Sequence, residues 1–199
     1  MKHFARNIVF FPLLAVLLLQ GSPFAWAQMR VKLPTHPPAD TFTMVFTGDI
    51  MGHDSQIASA LKTGQGTYDY LSCFRYIAPY IAEADMAVGN LEVTLAGPPY
   101  KGYPAFSSPD ALPLALWETG YDVLVTANNH ALDRGRKGLE RTLDVLDTLG
   151  FIRAGTYRHR EERRDHYPLI VEKNGIRLAM VNYTYGTNGL KVKPPNIVN

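Results

Sequence analysis

The chain has one cysteine, Cys73, in 199 residues, so no disulfide can form within it. It also lacks a long apolar run. Ile8 to Leu19 is 12 residues and includes Pro12, whereas a membrane span needs about 20. Charge is sparse at 19% and nearly balanced, with 20 Lys+Arg against 18 Asp+Glu. A general nucleic-acid binder carries a basic excess, so nucleic acid is not expected as a partner. There is no Gly-rich phosphate loop, no Cys-x-x-Cys pair and no serine in a nucleophile-elbow setting, and nothing points to the chemistries those motifs serve. What is present is apolar: 46% hydrophobic residues exclude a disordered or collagen-like chain, and the length suits one domain with a buried core.

The chain opens with Lys2, His3 and Arg6, then the apolar run, then Ala25-Trp26-Ala27 before Gln28. Small residues at the two positions a signal peptidase reads predict a signal peptide over residues 1–27. A retained N-terminal anchor is the alternative. Removing Lys2 and Arg6 leaves a formally neutral mature chain that works outside the cytoplasm, periplasmic or extracellular. Gln28 to Asp40, with Pro34, Pro37 and Pro38, is expected to be a linker, and residues 41–199 the domain. A free thiol is tolerated outside the cytoplasm when buried, and Cys73 sits among Leu71, Phe74 and Ile77, so burial is expected.

Strand and helix alternate along this domain. Phe42 to Thr47 is β-rich and runs into Gly48-Asp49. Tyr68 to Ala84 has Leu71, Phe74, Ile77 and Ile81 at helical spacing, with Pro79 ending or kinking the helix. Asp85 to Val88 predicts a buried strand ending in Gly89-Asn90, and Gly97 to Pro104 a loop. Ser108 as N-cap and Pro109 in the first turn predict a helix that closes at Gly120. Tyr121 to Thr126 is the next strand. Gly138 to Leu149 carries Leu139, Leu143, Leu146 and Leu149 on one face, with Gly150 as the stop. Phe151 to Arg153 follows as a short strand. Asn174-Gly175 between Tyr167–Glu172 and Ile176–Tyr183 predicts a hairpin. Arg158 to His166 alternates charges and is expected to be a solvated loop, with contact to an anionic polymer as the alternative. The class is α/β with an antiparallel portion.

Three predicted strands end in side chains of ligand type. The first delivers Asp49 with His53 beyond it, the second Asn90 and Glu92, and the third Asn128, Asn129 and His130 with Asp133 behind. Each group alone is ordinary turn chemistry: a Gly-Asp turn, an Asx-turn, a histidine at a helix entry. Three such corners in order point to one shared crevice at the carboxyl ends of parallel strands. Mixed oxygen and nitrogen donors suit manganese, zinc or iron, and two such ions would hold a phosphate and polarise a water. Arg134 and Arg136 flank a helix start and are placed to meet an anionic substrate. Tyr100, Tyr103 and Phe106 either line a cleft or pack their loop onto the sheet.

Thr47-Gly48-Asp49-Ile50-Met51, Gly89-Asn90-Leu91-Glu92 and Ala127-Asn128-Asn129-His130-Ala131-Leu132-Asp133-Arg134-Gly135 resemble the ordered motifs of the CapA family. These are capsule and poly-γ-glutamate synthesis proteins similar to calcineurin-like metallophosphatases. The resemblance runs from about Phe42 to the chain end and implies a metallophosphatase-like α/β/β/α sandwich, here incomplete at its C-terminus. It implies Asp49 as a first-metal ligand and Glu92, with Asn90, as a bridging or second-metal ligand. Asn129 becomes the metal-binding amide, His130 the group that contacts phosphate or protonates a leaving group, and Asp133 the residue that orients His130 or its loop. Two departures stand out. Met51 replaces the histidine expected two residues after the first aspartate, leaving His53 as the available substitute. The late histidines of the pattern are also missing, the last being His166, so the chain is expected to be an N-terminal part of a longer protein or a truncated gene product.

The function implied is synthesis or export of an anionic capsule polymer, with a phosphoester or phosphoanhydride as substrate and a capsule-synthesis membrane complex as partner. A non-catalytic envelope scaffold that binds polymer is the alternative, and a 5′-nucleotidase-like phosphoesterase a weaker one.

Overall fold

The computed structural model describes residues 41–199. The expected signal peptide and linker lie outside the described residues. Among the described residues no helix is long and apolar enough to cross a membrane.

The first half of the domain is built from strands β1 (Met44–Ile50), β2 (Met86–Leu91), β3 (Val123–Val125) and β4 (Ile152–Ala154). They form a parallel sheet in the order β1-β2-β3-β4. Between β1 and β2 lie helices α1 (Asp54–Thr63), α2 (Leu71–Phe74) and α3 (Ala78–Glu83). Helix α4 (Ala111–Thr119) precedes β3, and α5 (Gly135–Leu149) joins β3 to β4. Consecutive parallel strands joined by right-handed crossovers carry their helices on one face. The core agrees: Ala60, Ile81, Leu112, Leu116 and Leu146 from the helices pack with Ile50, Ala87, Leu91 and Leu124 from the strands. Burying each large aliphatic side chain there contributes about 2–3 kcal/mol. The fold is thus mixed α/β of the metallophosphatase-like type.

The C-terminal elements follow: β5 (Thr156–Tyr157), α6 (Arg160–His166), the hairpin strands β6 (Leu169–Lys173) and β7 (Ile176–Met180), and β8 (Ile197–Val198), antiparallel to β5. Asn174 and Gly175 both take positive φ, 52° and 75°, the geometry that lets a two-residue hairpin follow the strand twist. The sheet's second face is only partly covered. Phe46 is 64% exposed, and a hollow of about 190 Å³ lies between Phe46, Val88, Asn90, Val125 and the Met180–Asn182 segment.

Several expectations require correction. The helix expected over Tyr68–Ala84 is two short helices, because Pro79 stands in the first turn of α3, where its missing N–H costs nothing, and starts a helix there. Cys73 is exposed: the short α2 turns it outward, away from the core side of Phe74. Ser108 does not cap α4. Asp110 holds the N-cap position, while Ser108 is buried with its N–H donated to the Thr94 carbonyl at 3.0 Å. Residues 160–166 are helical, not a loop. Arg153 and Arg158 gather Glu162, Asp147 and Asp144 between α5 and α6, with Arg158 to Asp147 at 2.8 Å.

Candidate functional site at the sheet edge

Because β1, β2 and β3 are parallel, their carboxyl ends share one edge. A bulge in β1 determines which side chains meet there. Phe46 pairs with Val88, but the next register pairs are Asp49 with Asn90 and Ile50 with Leu91. One extra residue therefore sits in β1 between Phe46 and Asp49. In an unbroken strand Asp49, three residues after Phe46, would point to the helix-covered face. The bulge returns it to the face of Asn90 and leaves Ile50 in the core beside Leu91.

From Asp49 a continuous path of polar contacts crosses the edge. Asn90 donates its amide to Asp49 Oδ1 at 2.8 Å and reaches Glu92 Oε2 at 3.4 Å. Asn128 donates to Asn90 Oδ1 at 3.1 Å and to the Leu91 carbonyl at 2.8 Å, and its own oxygen accepts the His130 N–H at 3.1 Å. Both ends of the Asn128 amide are thereby used, so this residue ties the strand ends together. His130 Nδ1 meets Asp133 Oδ2 at 2.8 Å, and Nε2 stands 4.0 Å from Glu92 Oε1. A carboxylate only accepts, so the shared proton sits on Nδ1 and Nε2 faces Glu92.

Glu92 is buried. Loss of solvent, followed by the neighbouring Asp49 carboxyl, raises its pKa above the usual carboxylate range. Two carboxylates drawn to one amide favour either a shared proton or a cation between them. Asp49, Asn90, Glu92 and the His130 imidazole supply oxygen and nitrogen donors suited to part of a divalent ion's coordination. Among the described residues no three His, Cys, Asp or Glu side chains gather closely enough to hold a metal, so amides would have to complete any such set.

Asp133 has a second task. Its Oδ2 also accepts the Phe106 backbone N–H at 2.8 Å. Arg134 donates to the carbonyls of Ala105 (3.0 Å) and Pro99 (3.2 Å), and Gly102 N–H to Asp54 at 2.6 Å. The Gly97–Ser107 loop is thus pinned beside the site, and the Phe106 ring stands edge-on to His130 at 4.7 Å and to His53 at 5.0 Å. Phe106 packs the loop down, whereas Tyr103 is exposed.

The structure therefore joins Asp49, Asn90, Glu92, Asn128, His130 and Asp133. His53 lies outside this path, exposed at the N-cap of α1 beyond Phe106. Asn129 turns the other way: its amide meets Asn188 Oδ1 at 3.3 Å. Arg134 is engaged by the loop and Arg136 by Glu140 at 2.9 Å, so neither guanidinium is held out toward the strand ends. Asn188, whose amide also lies 3.4 Å from His130 Nδ1, was invisible to sequence reasoning. Asn188-Gly189 signals a turn, but not where the turn docks.

An α/β sheet with amide, carboxylate and imidazole groups converging at its carboxyl edge defines a metallophosphatase-like class of protein. Residues 43–197 match the family described as bacterial capsule synthesis protein PGA_cap, and the chain belongs to that family. It is 30% identical over 186 aligned residues to the capsule biosynthesis protein CapA of Bacillus anthracis, covering 87% of this chain and 42% of that relative. It is also 33% and 32% identical, each over 125 residues, to the uncharacterized proteins y4uA and y4sH of Sinorhizobium fredii (strain NBRC 101917 / NGR234), covering 58% of this chain and 25% of each. The chain spans less than half the length of these curated relatives.

Proposed function

We propose that this protein is exported and serves synthesis or export of an anionic capsule polymer of the poly-γ-glutamate kind, through metal-assisted chemistry on a phosphoester or phosphoanhydride. The observation that carries this is the unbroken path from Asp49 through Asn90 and Asn128 to His130 and Asp133, with Glu92 beside it. Asp49, Asn90 and Glu92 would hold a divalent ion such as manganese, zinc or iron. Such an ion, when bound, polarises a phosphate and an attacking water. His130, fixed through Nδ1 by Asp133, offers Nε2 to the substrate or to its leaving group. Family membership and the relative named for capsule biosynthesis support the polymer, and the basic-apolar-small start of the chain supports export to the envelope, beside a capsule-synthesis membrane complex.

The test is manganese-dependent hydrolysis of an aryl phosphate by the full chain, together with metal analysis of the purified protein. Activity and bound metal lost in Asp49→Ala, and activity alone lost in His130→Ala, are the expected results. That among the described residues no three His, Cys, Asp or Glu side chains gather to hold a metal favours a second use of the scaffold, polymer binding without catalysis. If no divalent metal binds or raises the melting temperature, catalysis is overturned in favour of that second use.

A further inference from the structure

We propose that Asn188 is a substrate-positioning residue: its side-chain amide, beside those of Asn129 and the imidazole of His130, receives an oxygen of a phosphate group bound at this site. The inference rests on the phosphoester chemistry proposed above and adds to it a residue from the far end of the chain.

The turn that carries Asn188 does not depend on its side chain. Thr187 and Leu190 close it through the Leu190 N–H to Thr187 carbonyl bond at 2.9 Å and the Thr187 hydroxyl on the Leu190 carbonyl at 2.5 Å. Asn188 and Gly189 both take left-handed backbone, φ 50° and 78°. The hairpin turn at Asn174-Gly175 has nearly the same angles, and the comparison is informative. There the asparagine amide is committed to a backbone carbonyl, that of Thr41, at 2.7 Å. Asn188 makes no bond of that quality. It stands 3.3 Å from the Asn129 amide and 3.4 Å from His130 Nδ1, both at the limit of hydrogen bonding. The second contact cannot be a hydrogen bond, because the Asn188 amide nitrogen, a donor, meets an Nδ1 whose own proton already goes to Asp133 at 2.8 Å. The Asn188 side chain is exposed and Asn129 half-buried, so the pair keeps donor capacity directed at solvent beside the imidazole. Neutral amide N–H groups at the solvent side of the buried His130 ring can receive a phosphate oxygen, an acceptor that carries no proton of its own to offer.

The experiment measures inorganic phosphate binding by calorimetry to the full chain loaded with manganese, alongside manganese binding alone. Asn188→Ala and Asn188→Gly are both required, since Gly preserves the left-handed turn while removing the amide. The expected result is manganese affinity unchanged within about twofold in both variants and phosphate affinity reduced about fivefold in both, the size of one neutral hydrogen bond. Asn188→Asp should lose more, through repulsion. If Asn188→Gly binds phosphate as the parent does, the amide has no such task and the proposal fails while the metal reading stands. If the parent itself binds neither manganese nor phosphate, both fail together.

Discussion

The contact on which the site's geometry most depends is the carboxylate of Asp133, and removing it has a calculable cost. Its side chain is 2% exposed, and one oxygen accepts from both the His130 ring and the Phe106 backbone N–H, each at 2.8 Å. Asp133→Ala leaves two buried donors without an acceptor, at about 1–3 kcal/mol apiece. Entry of a water would recover part of that, so the expected loss is about 3 kcal/mol, or about 6–12 °C in melting temperature for a domain of this size. Asp133→Asn, which can present an oxygen in the same place without the charge, should lose about 1 kcal/mol. Urea unfolding followed by circular dichroism measures both, and amide hydrogen exchange at Phe106 reports whether the Gly97–Ser107 loop has been released. An Asp133→Ala protein within about 1 kcal/mol of the parent, with the Phe106 amide still protected, would refute the claim that this carboxylate anchors ring and loop together.

Two further outcomes concern the rest of the domain. Burial pushes the Glu162 and Asp147 carboxyls up, but bonds from Arg153 and Arg158 outweigh it and both titrate below their ordinary range. Carboxyls lowered in the folded state stabilise it above their unfolded pKa, about 4, and that contribution is lost as pH falls through the folded values. Glu162→Gln should therefore flatten the decline of the urea midpoint below about pH 4, and an unchanged slope would show the cluster to be uncoupled from folding. Cys73 should react with a maleimide in the native protein as fast as a surface thiol does. Labelling that needs denaturant would contradict its exposure.

Local chemistry explains what was legible in the chain. Helix α5 follows from leucines repeated at helical spacing and from Gly150, left-handed at φ 79°, and the β6–β7 hairpin from Asn174-Gly175, because these signals act over a few residues. The three motif corners were legible for the same reason: each follows an apolar strand. Cys73 and Arg134 were misjudged because burial and partner choice are decided by distant elements. The apolar residues around Cys73 belong to two short helices with different faces, and Arg134 faces the carbonyls of a loop 29 and 35 residues upstream. The bulge that returns Asp49 to the face of Asn90 depends on β2 lying alongside β1, and the approach of Asn188 to His130 spans 58 residues. A one-residue register shift and a turn docked across the sheet edge are properties of strand pairing and packing, which no local stretch of residues encodes.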